Sequence, residues 1–323
     1  MMRNALYIGR EWNVEHNLRA PVTGAELRYT VLGEGEPVLC IHGTSIADSL
    51  ITPMRFYPPL LQDYQLISYY RAGYNGSTLD KPELSIEGGA QHVAELLDHL
   101  GIEKAHIMAF SFGGVIAFQF LLSYPERAHS AILLEPYLPR EAPDAIQANI
   151  DAYMNAMKLY ETGDKLGAAQ LYMEAVCGPS FLPAVEMTGP LDVWDRVEAC
   201  VDTTFTVDFP AISQWGFKPS EADRLVTRKP DMPVLAVMGL DSESAMPGFR
   251  DAQRFLMNWL PQAERCGIPN ATHGLQSMNP VAVGEAAHTF LKRQARLTAL
   301  RGQMCHSPQQ GRCQRQGHAR PQA

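Results

Sequence analysis

Several things are missing from this 323-residue chain, and each absence narrows what it can be. No apolar run reaches the ~20 residues that span a bilayer. The first twenty residues hold charges but no apolar core, so neither a membrane partner nor a secretory leader is expected. Cys40, Cys177, Cys200, Cys266, Cys305 and Cys313 are scattered, with no C-x-x-C pair, and read as reduced, mostly buried thiols of a cytoplasmic protein. No group of ligand-type residues has metal-site spacing and no G-x-G-x-x-G follows a strand, so neither metal nor cofactor is expected. Positive charge is in deficit: the formal net charge is −8, which argues against nucleic acid as a partner. The deficit is uneven, since from Lys292 onward there are seven Lys and Arg and no acidic residue.

What is present describes a globular protein, with 46% hydrophobic and 19% charged residues and enough length to bury a large core. Residues 1–20 carry no assignable pattern. Gly24 to Leu32 alternates as a half-exposed strand. Val38–Ile41, Lys104–Phe110, Ala131–Leu134 and Pro233–Gly239 are short, largely apolar runs of strand length, and Gln65–Tyr70 and Ala263–Ile268 read as further short strands. Between them, Ser85 to Leu100 has Ile86, Ala90, Val93, Leu96 and Leu97 at helical spacing, and Phe249 to Leu260 is amphipathic. Strand alternating with helix predicts an α/β fold: a mostly parallel sheet with helices on both faces.

From about Tyr137 to Thr227 the strands stop. Asp144 to Tyr160, Asp164 to Val176, Leu191 to Val201 and Phe205 to Trp215 read as helices separated by Pro and Gly. The predicted organisation is a core of residues 21–136 and 228–293, an all-helical insertion of residues 137–227, and a basic, disordered tail of residues 294–323. Met154, Met157, Met173, Met187, Trp194, Phe205 and Trp215 together suggest an apolar pocket, although each alone also reads as packing between insertion and core.

In a sheet of this kind reactive groups gather beyond the carboxyl ends of the strands. Three candidates sit there: His42-Gly43-Thr44, Ser111 and Glu135. The strand ending at Phe110 turns abruptly at Ser111 and continues as the apolar stretch Gly113 to Phe120, which reads as a buried helix. A serine at such a turn is strained, needs small neighbours, and lies near free N–H groups at a helix start. Taken alone, Ser-x-Gly-Gly reads equally as a plain turn, His42-Gly43 as a simple loop exit, and each loop carboxylate as solvated.

Ala109-Phe110-Ser111-Phe112-Gly113 resembles the nucleophile elbow of the α/β-hydrolase family, with Ala109 where that family usually has Gly. His42-Gly43-Thr44 is similar to its oxyanion loop, and Arg71-Ala72-Gly73-Tyr74-Asn75-Gly76-Ser77 to its Arg-x-Gly-x-Gly-x-Ser loop, a structural element. Pro269-Asn270-Ala271-Thr272-His273-Gly274, after the last strand, resembles the catalytic histidine loop. The resemblance covers about residues 24 to 292 and implies a helical cap after the sixth strand. It also implies Ser111 as nucleophile, His273 as base and the N–H groups of Thr44 and Phe112 as oxyanion hole. The family usually places the triad acid after the seventh strand, which makes Asp241 the first candidate. Family spacing puts the carboxylate one position later, at Ser242. Glu135, after the sixth strand, is the alternative position, and Glu243 a weaker one.

The implied activity is hydrolysis of a small, apolar ester or related acyl substrate through an acyl-enzyme, by a monomer or homodimer. Ser111 in place of Asp argues against chemistry that uses a carboxylate nucleophile. Carbon–carbon bond hydrolysis, enol-lactone hydrolysis and cofactor-free haloperoxidase chemistry stay open on the same fold. So does a hydrolase-like protein that only binds its ligand.

Overall fold

The computed structural model describes residues 14–138, 142–215 and 232–305. The end of the predicted insertion, including its boundary at 227/228, and the tail from 306 lie outside the described residues. Eight strands form one sheet in the order β1-β2-β4-β3-β5-β6-β7-β8. They are β1 (Val14–Val22), β2 (Ala25–Leu32), β3 (Glu36–Ile41), β4 (Tyr64–Tyr69), β5 (Ala105–Phe110), β6 (Ala128–Leu134), β7 (Val234–Gly239) and β8 (Glu264–Ile268). β2 runs antiparallel to both β1 and β4, and every pair from β4 across to β8 is parallel.

The apolar character of the central strands follows from burial on both faces. All six residues of β5 are buried. On one face lie helices Ile86–His99, Phe112–Ser123 and Phe249–Trp259, whose Val93, Phe118 and Leu256 join Leu39, Ile107 and Leu133 in one core. On the other face, Leu60 and Leu61 of helix Pro58–Asp63 and Phe290 and Leu291 of helix Pro280–Cys305 pack on Val38, Met108 and Ile132. Ser85 caps its helix by accepting the Gly88 N–H at 3.0 Å. Helix Phe112–Ser123 is almost wholly buried, as its unbroken apolar sequence requires.

Between β6 and β7 the described chain is helical: Pro143–Glu161, Lys165–Cys177, Phe181–Thr188, Val193–Glu198, a π-helical turn at Thr204–Asp208, and Phe209–Gln214. Three features differ from the sequence reading. β1 exists although Val14-Glu15-His16-Asn17-Leu18 shows no clean alternation. It is an edge strand with an irregularity between Glu15 and Leu18, which breaks the alternation that sequence would show. Helix Phe181–Thr188 was hidden by Pro183, which is tolerated in a first turn. The last helix continues to Cys305, so residues 294–305 are helical where a disordered tail was expected. Gln294 to Arg301 contains only helix-compatible residues and no Gly or Pro, which outweighs its low apolar content.

Candidate active site

The elbow is built by the register of β5 on β6. Phe110 pairs with Leu134, so Ser111 and Glu135 leave adjacent strands side by side. The Ser111 N–H donates to Leu134 O at 3.0 Å, and Ser111 O accepts from Gly114 N at 2.9 Å. Ser111 sits at φ 52°, ψ −118°, a conformation costly for a residue with a Cβ and recurrent at functional sites. Gly113 is required beside it, since a Cβ there would lie 2.3 Å from the carbonyl oxygens of Ile41 and His42. Ala109 is fully buried in β5, so a methyl fits where the family usually has none.

Ser111 and His273 are joined: His273 Nε2 lies 2.8 Å from Ser111 Oγ. The other ring nitrogen, Nδ1, lies 2.7 Å from Glu135 Oε2. A carboxylate can only accept, so Nδ1 carries the proton and Nε2 is left to accept from the serine hydroxyl. The imidazole is clamped between Phe249, stacked at 4.6 Å, and Phe110 at 4.9 Å, and all three polar residues are buried.

The structure does not bring the two carboxylates after β7 to His273: Asp241, the first candidate, and Glu243 lie elsewhere. Asp241 is exposed; its N–H donates to Ala271 O and its carbonyl accepts from Ser244. Glu243 is turned to the Gly248 and Arg250 N–H groups at 3.0 and 2.9 Å. The position where family spacing expects an acid holds Ser242, whose Oγ donates to Glu135 Oε1 at 2.5 Å. The Gly239 N–H donates to the same oxygen at 2.7 Å. A carboxylate from the end of β6 is thus met by a hydroxyl at the end of β7. Sequence held only a partial signal for it: Ser242 stands at the spacing where a carboxylate was due, but Glu135, Asp241 and Glu243 all follow buried strands.

Ser111, Thr44 and Phe112 line a cavity of about 540 Å³. Of the seven residues expected to line a pocket, only Trp215 does so. The walls come instead from Tyr137, Leu138, Ile146, Asn149, Ile150, Tyr153, Tyr172, Phe209, Pro210, Ile212 and Ser213. Met173 and Phe205 are buried in the packing of the helical segment, whereas Met154 and Met187 are 47% and 71% exposed. Sequence could not choose among apolar residues because helices of this segment bury one face and turn another to the cavity. Tyr153 and Tyr172 both meet the Phe209 ring edge-on, at 4.8 and 4.9 Å, forming an aromatic wall.

Behind the loop His42-Gly43-Thr44 lies a buried polar group; sequence reads its Arg71 loop as structural and assigns it no chemistry. Arg71 reaches Asp208 with two parallel bonds, Nη1–Oδ1 at 2.8 Å and Nη2–Oδ2 at 2.6 Å. Tyr74 Oη donates to Asp208 Oδ2 at 2.6 Å. Burial alone would weaken the guanidinium's hold on its proton, but the charge of Asp208 more than offsets this and keeps Arg71 cationic. His42 is held well below its ordinary value by burial and then by Arg71, so it is neutral. Its Nε2 accepts from the Arg71 N–H at 3.0 Å, and its Nδ1 donates to Gly43 O at 2.7 Å. Among the described residues no group of three or more His, Cys, Asp or Glu is arranged to hold a metal ion. No helix among them is long and apolar enough to cross a membrane.

The α/β-hydrolase fold family model matches residues 36–280, and the chain belongs to that family. It is 34% identical over 110 residues to the uncharacterized hydrolase YcgS of Bacillus subtilis (strain 168), covering 34% of this chain and 38% of that protein. It is 34% identical over 115 residues to a 2-hydroxy-6-oxo-6-phenylhexa-2,4-dienoate hydrolase of Comamonas testosteroni, covering 34% of this chain and 40% of that one. The chain therefore spans well under half the length of these curated relatives. A thermophilic esterase from Thermogutta terrifontis superposes with a TM-score of 0.67 at 20% identity, over 88% of this chain and 99% of that chain, a likeness of fold.

Proposed function

We propose that this protein is a serine hydrolase of a small, apolar ester or related acyl substrate. The observation that carries the reading is the unbroken hydrogen-bonded series Ser111–His273–Glu135, whose serine opens on an apolar cavity. A serine hydroxyl is a weak nucleophile at neutral pH and needs a base within hydrogen-bond reach. His273 takes the Oγ proton as Oγ attacks the acyl carbon. It then returns that proton to the leaving group, and an acyl-enzyme forms. Glu135 fixes the tautomer and stabilises the imidazolium. The N–H groups of Thr44 and Phe112 receive the negative charge on the acyl oxygen; Phe112 is the first residue of its helix, where the N–H has no intrahelical partner. Water repeats the cycle to release the acid. The helices between β6 and β7 act as a cap whose Ile146, Ile150, Tyr153 and Phe209 receive the apolar part of the substrate.

The test is turnover of a p-nitrophenyl ester series by wild type and Ser111→Ala, with fluorophosphonate labelling of Ser111. The wild type is expected to turn over and to label, and the variant to do neither. A second reading, carbon–carbon bond hydrolysis of a ring-cleavage product, draws on the similarity to the dienoate hydrolase. Vinylogous diketones in the same panel separate the two. Tight ligand binding without turnover or labelling would instead favour the ligand-binding protein.

A further inference from the structure

We infer that Arg71 and Asp208 are positioning residues that aim the oxyanion hole, through the peptide between Gly43 and Thr44. This rests on the serine-hydrolase reading and adds to it the device that sets the hole's geometry. A trans peptide is planar, and its C=O and N–H point in opposite directions. Whatever holds Gly43 O therefore sets the direction of the Thr44 N–H. Two buried donors hold that oxygen: Arg71 Nη2 at 3.0 Å and His42 Nδ1 at 2.7 Å. The peptide also lies against the nucleophile, since a Cβ on Gly43 would sit 3.2 Å from Ser111 Cβ. Thr44, on the far side, lines the cavity with Ser111.

The same guanidinium serves the other half of the hole. Its Cζ lies 4.5 Å from the centroid of the Phe112 ring, a cation–π contact on the residue whose N–H is the second donor. One planar cation thus touches both residues flanking the hole. Its own orientation is fixed by the two parallel bonds it donates to Asp208, which a planar fork makes and a lysine cannot. Asp208 closes the π-helical turn Thr204–Asp208, and the residues that follow it, Phe209 and Pro210, line the cavity. π-Turns of this kind recur at functional sites. The helical segment that receives the substrate and the loop that stabilises its oxyanion therefore share one anchoring point.

The experiment compares wild type with Asp208→Asn, Arg71→Lys and Arg71→Met on matched oxoesters and thionoesters. A sulfur in place of the acyl oxygen fits an oxyanion hole poorly, so the oxo/thiono ratio of kcat/KM reports on the hole itself. A correctly placed donor is worth about 10² to 10³ in kcat. The variants are expected to lose tenfold to a thousandfold in kcat on the oxoester with KM changed less than threefold. The oxo/thiono ratio should fall at least tenfold, with Arg71→Lys failing to restore it. Equal loss on both substrates, as from a smaller folded fraction, would overturn the inference. A crystal structure of Arg71→Met supplies a readout that needs no turnover. The Gly43 carbonyl is expected to rotate, and an unmoved peptide would also overturn it. If the wild type cleaves no ester while this peptide does move, the hydrolase reading fails, and what stands is that Arg71 orients the Gly43–Thr44 peptide, not that it serves an oxyanion hole.

Discussion

The Glu135 carboxylate reaches His273 Nδ1 at 2.7 Å from the end of β6, one strand away from where Asp241 sits exposed after β7. With Ser242 and the Gly239 N–H both donating to its second oxygen, Glu135 is oriented by three hydrogen bonds. Glu135→Gln keeps the shape but removes the charge and invites the wrong imidazole tautomer. We expect kcat to fall by about 10⁴, the order seen when a triad carboxylate is replaced by its amide. Asp241→Asn should stay within about threefold of wild type. Steady-state kinetics on one p-nitrophenyl ester decides between them, and comparable losses in both variants would remove Glu135 from its role.

The tight crossing of the elbow gives a stability prediction. In Gly113→Ala the new methyl would lie 2.3 Å from two carbonyl oxygens on the chain leaving β3, and these are backbone atoms that cannot step aside without moving the loop. Overpacking of this kind costs about 1 to 3 kcal/mol. The urea midpoint of Gly113→Ala should fall with the slope of the transition unchanged. A midpoint equal to wild type would mean that the strand and helix can part enough to admit a methyl.

Much of this arrangement is legible in the sequence. Val38–Ile41 and Ala131–Leu134 are apolar throughout because both sheet faces are covered, and that pattern has few other readings. Ser111 was legible because it follows such a run, and His273 because it stands in the loop after the last strand. The acid was ambiguous because Asp241, Glu243 and Glu135 all follow strands, and only the side-chain direction separates them. The pocket lining was not legible: Ile146, Asn149, Ile150 and Tyr153 share one helical face, but sequence cannot say which face of helix Pro143–Glu161 meets the cavity. The Arg71–Asp208 pair spans 137 residues, a distance at which sequence pattern carries no pairing information.

The cavity wall formed by that helix can be narrowed without disturbing the core. Ile150 lines the cavity yet is 47% exposed. Ile150→Trp should leave thermal stability within about 0.5 kcal/mol, as for other changes on open surface. It should lower kcat/KM for long acyl chains relative to short ones by about tenfold or more, since each excluded methylene is worth about 1 to 3 kcal/mol in an apolar pocket. A p-nitrophenyl acetate-to-octanoate series measures the ratio. An unchanged profile would place the acyl chain away from this helix.

His42 makes stability depend on acid. It is buried, and burial followed by the nearby Arg71 charge holds it well below its ordinary value of 6.5. As pH falls through 6.5 the unfolded chain takes up this proton while the folded chain does not. The unfolded state therefore binds more protons, and stability rises with pH in this window. The loss should begin near pH 6.5 and continue downward, with a limiting slope for one proton of about 1.4 kcal/mol per pH unit. His92, also lowered by burial, adds a loss of the same sign. His42→Gln can still accept from the Arg71 N–H but does not titrate. Its unfolding free energy between pH 7 and 5 should fall less steeply than that of wild type, whatever its absolute stability. Urea titrations at pH 7, 6 and 5 measure both slopes; parallel slopes would show that His42 is protonated as readily in the folded chain as in the unfolded one.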